Sequence, residues 1–268
     1  MRRLILLAIL LWCFCIEASI ITSNVGGRNI SFADVAEEGI SAKSYIQNGL
    51  ISQWDGIENV GYGIHDDSST RWIDLKSEVP ILGIRFDTYA AIPTGTTPPL
   101  TDSRYYGFRI DRDFTMHGCL INPPRYWTNW TLVGIGRGAG CENGIVLCAR
   151  DGEINYSVAY RSAYSGTVFA KVNTGTVVSE KYVVDIVFHY ETKRFSVYVN
   201  SLLVGSSTIP EDNWNLDGVS NLSACIGLFH NLSNIGDFRV FDFMLYERCL
   251  TEEEISYNHA IDKERFGL

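Results

Sequence analysis

The chain has 268 residues, of which 46% are hydrophobic, 12% aromatic and 20% charged, and a formal net charge of −9. This composition excludes intrinsic disorder, which goes with few apolar residues. The 24 glycines follow no three-residue period, which excludes a collagen-like chain. The 22 basic residues are scattered among 31 acidic ones, with Lys193-Arg194 the densest cluster. That distribution argues against nucleic acid and against an anionic membrane surface as partners.

At the N-terminus, Arg2-Arg3 precedes an unbroken apolar run from Leu4 to Ile16, and Glu17-Ala18-Ser19 forms a short, small-residue exit. The run suits the hydrophobic region of a signal peptide and is shorter than the about 17–25 residues of a spanning helix. Residues 1–18 are therefore expected to be a signal peptide cleaved near Ala18, with an uncleaved anchor as the alternative. The expected location is secreted or cell-surface, with no membrane association beyond the signal. Residues 19–44 read as a lead segment and 45–268 as one domain. Cleavage would leave Cys119, Cys141, Cys148, Cys225 and Cys249. An odd number at wide spacing is not a disulfide framework. Export would permit a bridge or two, while buried thiols inside strands explain the same residues. No Cys-x-x-Cys pair or Cys/His run signals zinc.

The Pro/Thr/Gly-rich stretch from Ile92 to Asp102 reads as a long surface loop within the domain. Short strands with turn signals follow: Tyr105 to Ile110, Phe114 to Ile121, Thr131 to Gly136, Gly144 to Arg150 and Ile154 to Arg161. Lys181 to Tyr190 is a long β-branched and aromatic run. Phe195 to Val199 ends at Asn200-Ser201, from which Leu202 to Val204 returns as a hairpin. Cys225 to Phe229 and Gly236 to Tyr246 are the last predicted strands. With no amphipathic helices between them, these elements predict an all-β, antiparallel two-sheet sandwich. One helix is expected at the C-terminus. Thr251 is its N-cap, Glu254 completes a capping box, Leu250 and Ile255 are spaced as a hydrophobic staple, and Gly267 stops it.

The catalytic motifs fail on context. Gly134-Ile135-Gly136-Arg137-Gly138-Ala139 spells a dinucleotide fingerprint, but a strand rather than a helix is expected after it. Asp151 and Glu153 are spaced like paired glycosidase carboxylates, but Gly152 between them suggests a turn. Asp237 and Asp242, five apart, point to opposite faces of a strand. No Gly-x-Ser-x-Gly elbow or His-Glu-x-x-His occurs. The five histidines are isolated in sequence, and His189 reads as a structural residue in a strand. Calcium is the one cofactor with suitable oxygens, from Asp66-Asp67 with Glu58 or from Glu211-Asp212 with Asp217. No loop consensus supports it, and solvated loop acids explain the same residues.

Aromatic residues are the surplus. Tyr126, Trp127 and Trp130, beside Pro123-Pro124, fall in one predicted loop and Trp214 in another. These four are the candidate ligand-binding residues, since an exposed indole stacks on the C–H face of a sugar. Rings folded back onto the sandwich are the competing reading. Five Asn-x-Ser/Thr sequons, at Asn29, Asn129, Asn155, Asn221 and Asn231, would carry glycans only in a eukaryotic secretory pathway, and Asn155 is expected mid-strand.

Three stretches resemble one family. The first runs from Tyr45 through Trp54-Asp55-Gly56 to Trp72-Ile73-Asp74-Leu75, the second from Phe195 to Asn200, and the third from Gly236-Asp237-Phe238-Arg239 through Leu250-Thr251-Glu252-Glu253-Glu254-Ile255 to Asn258. They are similar to the laminin-G-like, concanavalin A-like lectin/glucanase superfamily as it occurs in bacterial surface and secreted proteins. The resemblance implies a jelly-roll β-sandwich with a short C-terminal α-helix at its edge or end. It also implies that Trp54, Trp72 and Leu245 are packing residues. The chain departs from the family in three ways. Ser201 stands where the hairpin usually has glycine, residues 80–178 match no pattern, and the Glu-x-Asp-x-Glu strand of the glucanases is missing. The expected function is therefore a non-catalytic, carbohydrate- or protein-binding sandwich at the cell surface. A glycoside hydrolase or lyase with unrecognised acids and a structural or adhesion module are the alternatives.

Overall fold

A computed structural model describes residues 22–25, 28–31, 40–62, 65–93, 110–121, 130–137, 142–149, 156–161, 168–175, 180–214, 222–228 and 238–268. The chain divides into two compact units, Met1–Asn48 with Thr251–Leu268, and Gly49–Leu250.

The first unit holds a hairpin, β1 (Thr22–Val25) with β2 (Arg28–Ser31), a 3-10 turn at Ala42–Ser44 and the helix α1 (Glu252–Phe266). The helix starts and stops where its caps predict. Thr251 Oγ1 accepts from Glu254 N, the Glu254 carboxylate accepts from Thr251 N, and Gly267 closes the last turn at φ 67°. These bonds satisfy terminal backbone groups that the helix cannot pair internally. Within this unit Tyr45 Oη donates to Asp262 Oδ1 at 2.7 Å, and Ile46 N donates to Asn258 Oδ1 at 3.1 Å.

The second unit is a two-sheet sandwich of antiparallel strands. Its first eight strands are β3 (Leu50–Asp55), β4 (Arg71–Ile73), β5 (Pro80–Leu82), β6 (Ile84–Asp87), β7 (Ala90–Pro93), β8 (Phe114–Ile121), β9 (Trp130–Arg137) and β10 (Glu142–Ala149). There follow β11 (Tyr156–Arg161), β12 (Val168–Gly175), β13 (Lys181–His189), β14 (Arg194–Val199), β15 (Leu202–Thr208), β16 (Leu222–Leu228) and β17 (Arg239–Tyr246). The larger sheet runs β15-β14-β13-β8-β17-β7-β6, with β3 also pairing β17, and the smaller runs β12-β11-β10-β9-β16. β4 and β5 pair separately. Ile92 and Pro93 end β7, so the expected loop from Ile92 begins later than its composition suggested. Residues 94–102, and most of the strand expected from Tyr105, lie outside the described residues.

Alternation decides which side chains meet between the sheets. Tyr182, Val184, Ile186 and Phe188 of β13, with Phe114, Met116 and Leu120 of β8, face Val133, Ile135, Ile145, Leu147, Val158 and Tyr160 of the smaller sheet in one core. Trp54, Trp72 and Leu245 are fully buried in that core, as expected. The opposite parity of the larger sheet is buried too and carries polar groups. His117 Nδ1 lies 2.7 Å from Asp185 Oδ1 on the neighbouring strand, and Asp242 Oδ1 accepts from Cys119 N at 2.7 Å. The β14–β15 hairpin turns at Asn200 and Ser201, with φ 49° and 63°. Two left-handed residues make a type I′ turn, so Ser201 takes the conformation that glycine would take more cheaply.

Candidate functional site

Two places in the sandwich unit bring reactive or ligand-binding side chains to the surface. The first is the segment after β3. Asp55 is buried and turns the chain by accepting from Ile57 N (2.9 Å) and Glu58 N (3.0 Å). Gly56 then passes so close to the β6–β7 turn that a Cβ there would sit 1.8 Å from the Tyr89 carbonyl oxygen. Only glycine fits that approach. Asn59, also buried, donates to Asp66 O (3.2 Å) and accepts from Asp66 N (3.0 Å), which pins the far side of the loop. The result places His65 edge-on to Tyr89, with ring centroids 5.0 Å apart. Both histidine nitrogens face oxygen acceptors, Nδ1 the Gly56 carbonyl at 3.0 Å and Nε2 the Asp67 carboxylate at 2.8 Å. Tyr89 remains 40% exposed and Tyr62 39%. Burial, followed by the Glu58, Asp74 and Asp55 carboxylates, holds the Tyr62 phenol above its ordinary range.

The calcium ligands suggested for this segment do not converge. Glu58 is buried, Asp66 Oδ1 is taken up by Ser68 N and Oγ, and Asp67 pairs with His65. Among the described residues these three carboxylates do not bring ligand atoms within 4.8 Å of one another. Glu211 and Asp212 lie exposed on a 3-10 turn, and Asp217 lies outside the described residues.

The second place is a rim of the larger sheet, where adjacent strands β13, β8 and β17 end together. Asp113 immediately precedes β8, His189 is the last residue of β13, and Cys249 follows β17. Cys249 Sγ lies 3.3 Å from His189 Nδ1 and donates to Phe188 O at 3.3 Å, while Asp113 Oδ1 accepts from Tyr190 N at 2.8 Å. Burial, with the Asp113 carboxylate adding to it, pushes the Cys249 thiol up to about 12. Beside these groups opens a pocket of about 470 Å³ lined by Asp111, Arg112, Asp113, His189, Tyr190 and Glu191, among others.

Of the four aromatic residues singled out in the sequence, Tyr126 and Trp127 lie outside the described residues. Trp130 does not lie in a loop: it opens β9, paired across to Ala149. Trp214 is half-buried and packs on the core. Its ring stacks on Phe188 of the larger sheet (5.4 Å) and on Tyr160 of the smaller (5.6 Å), with the Lys193 ammonium 5.1 Å above it. This contact is the folded-back arrangement, in which the indole closes the space between the sheets. The other acids weighed for catalysis divide similarly. Asp151, Glu153 and Asp237 lie outside the described residues, while Asp242 is fully buried. The Gly134–Ala139 sequence begins within β9, and the next described element is its antiparallel partner β10, a strand rather than the helix that a phosphate cradle needs. Among the described residues, Cys119, Cys148 and Cys249 are not joined in disulfides.

His65, Tyr89, Asp113 and Cys249 were not apparent as site residues in the sequence. Each pairs with residues distant along the chain, and the only local sign was the parity of His189, opposite to the core-facing Phe188.

The likeness to solved structures is one of fold. Trypanosoma rangeli sialidase in complex with the inhibitor DANA superposes with a TM-score of 0.60 at 16% identity, over 94% of this chain and 37% of that one. The same enzyme in complex with sialic acid gives 0.58 at 16% identity, over 93% and 37%. The binding domain of Paraclostridial Mosquitocidal Protein 1 gives 0.55 at 14% identity, over 82% and 53%. This chain thus spans little more than a third of the sialidase chain. No protein-family model matches the sequence, and no curated protein matches it.

Proposed function

We propose that this chain is a secreted, non-catalytic β-sandwich that binds glycan through the loops at the edge of its larger sheet. The observation that carries the reading is the Tyr89–His65–Asp67 cluster. It offers an exposed aromatic ring for the C–H face of a sugar beside a carboxylate, Asp67, that His65 holds in place and that can accept from the sugar's hydroxyls. Trp127, which lies outside the described residues, is the second candidate from the sequence for stacking on a sugar. Three further points support the reading. The deep carboxylates of the larger sheet, Asp185 and Asp242, are sealed from solvent and so unable to flank a glycosidic bond. A fold shared with the binding domain of a mosquitocidal protein and with a sialidase in complex with sialic acid is compatible with sugar recognition. The resemblance to laminin-G-like and concanavalin A-like modules points the same way.

A glycan array probed with the full chain tests this. Retention on a defined glycan class that falls at least about tenfold in Tyr89→Ala or Trp127→Ala supports the reading. Retention on no glycan removes it. N-terminal sequencing of protein recovered from the medium, starting just after Ala18, would establish export.

A protein partner is the second reading. β15 is an edge strand, and Leu202, Leu203 and Val204 on it are 71%, 53% and 43% exposed. Such an edge is suited to pairing with a strand of another chain.

A further inference from the structure

We propose that Asp113, His189 and Cys249 form a zinc site at the rim where β8, β13 and β17 end, with its fourth coordination position open to the adjoining pocket. The three donor atoms all lie within 4.8 Å of one another, and the Sγ–Nδ1 separation is 3.3 Å. The Sγ–Nδ1 separation is that of two ligands bound at about 2.0–2.3 Å around one tetrahedral ion, and the exposed Asp113 carboxylate lies near enough to close on the same ion.

The surroundings of Cys249 suit a cation better than a proton. The sulfur carries one hydrogen, yet the Phe188 carbonyl, a His189 ring nitrogen and the Asp113 carboxylate are all gathered around it. Replacing that single proton with a divalent ion lets thiolate, imidazole and carboxylate all donate electron pairs at once. One thiolate, one carboxylate and Zn²⁺ sum to zero charge, so the half-buried sulfur is not left with an unpaired charge. The Tyr190 amide fixes the Asp113 carboxylate at 2.8 Å, as the outer-shell hydrogen bond of a metal ligand does.

The donor set selects the metal. Sulfur and imidazole nitrogen are borderline-soft donors that suit zinc, whereas calcium takes six to eight oxygens. Three protein ligands with a pocket of about 470 Å³ beside them leave room for water or an oxygen of a bound molecule as the fourth ligand. The site also ties together the ends of three neighbouring strands, so zinc should stabilise the sandwich as well as present a Lewis-acidic position. No motif announces it, because its ligands come from three separate strand ends.

The test uses the full chain, stripped with a chelator and titrated with Co²⁺ as a coloured stand-in for zinc. We expect one equivalent to bind, with a near-ultraviolet thiolate-to-cobalt band that zinc bleaches by displacement. Cys249→Ser should abolish the band, and His189→Ala should weaken binding at least about tenfold. Zinc should raise the Tm of the parent protein and leave that of Cys249→Ser unmoved. Metal-free Cys249→Ser with the parent's circular dichroism shows that the variant has folded. The proposal is overturned if cobalt does not bind, if it binds without the thiolate band, or if the band persists in folded Cys249→Ser, which would assign it to another cysteine.

Discussion

Removing His117 should cost far more stability than removing Asp185, and removing both should cost least. His117 and Asp185 face each other across β8 and β13, both fully buried, at 2.7 Å. Among the described residues the second Asp185 oxygen has no hydrogen-bond partner, and the imidazole is the group that compensates this carboxylate. In His117→Leu a buried carboxylate loses that partner, for which about 3–5 kcal/mol is the usual cost. In Asp185→Leu the residue left behind is an imidazole, which can be held as the neutral ring, and Asp242 lies 3.8 Å from its other nitrogen. The cost there should be nearer about 1–3 kcal/mol. The double variant replaces the pair with apolar side chains on a buried sheet face and should come within about 1 kcal/mol of the parent. Urea unfolding of the four proteins gives the coupling energy directly. Equal losses in the two single variants, or a double variant as unstable as the sum of the singles, would refute the reasoning.

Three further substitutions separate packing from binding and charge. Trp214→Ala should lower stability by about 2–4 kcal/mol, because the half-buried ring stacks on both sheets, while leaving glycan retention unchanged; lost retention at unaltered stability would make it a ligand platform instead. Ser201→Gly should raise stability by about 0.5–1 kcal/mol in urea unfolding, since φ at that position is 63°, and a loss would contradict the type I′ turn. Asp74 is buried and accepts from Gln53 N (2.7 Å), Lys76 N (2.9 Å) and Ser77 Oγ, yet burial outweighs these bonds and raises its pKa above the ordinary 3.8. The folded chain therefore holds this proton more tightly than the unfolded chain, and stability falls as pH rises from the ordinary value through the raised one. Asp74→Asn removes that loss, so its stability relative to the parent should improve as pH rises across the same window. A difference independent of pH would show that Asp74 is not the group responsible.

The parts of the fold legible in the sequence were those decided locally. The helix was announced by Thr251, Glu254 and Gly267, whose bonds lie within a turn of the chain. β13 and the β14–β15 hairpin were marked by a β-branched and aromatic run and by Asn200-Ser201. Strands decided by tertiary context were not legible. β4 to β7 are three or four residues long, interrupted by Pro80, Gly83 and Thr88, and offer too few positions for a period to show. β12 (VFAKVNTG) mixes lysine, asparagine and glycine into its run, which conceals it as a strand. β13 alternates, but both its faces are buried, so its sequence reads as one apolar run with Asp185 as the exception.

That exception shows why the sites were harder to see than the sheets. A polar residue in a buried strand signals only that a partner exists. Asp185 finds its partner through register, opposite His117, whereas His189, four residues on and of the same parity, reaches the strand's end, where Asp113 and Cys249 arrive from the neighbouring strands. The same sheet face thus carries a sealed pair in its middle and an open triad at its rim. Register sets the chemistry available to each: a hydrogen-bonded pair where water is excluded, and metal ligation where a pocket admits a fourth ligand. The Tyr89–His65 contact has a different origin, since the two belong to separate loops and meet because Gly56 lets one backbone pass against the other. Gly56→Ala should therefore displace the whole cluster, and it should reduce glycan retention as strongly as Tyr89→Ala does while zinc binding at the other rim is unchanged. Retention at the parent's level in a folded Gly56→Ala protein would show that the loop cluster is not where the sugar binds.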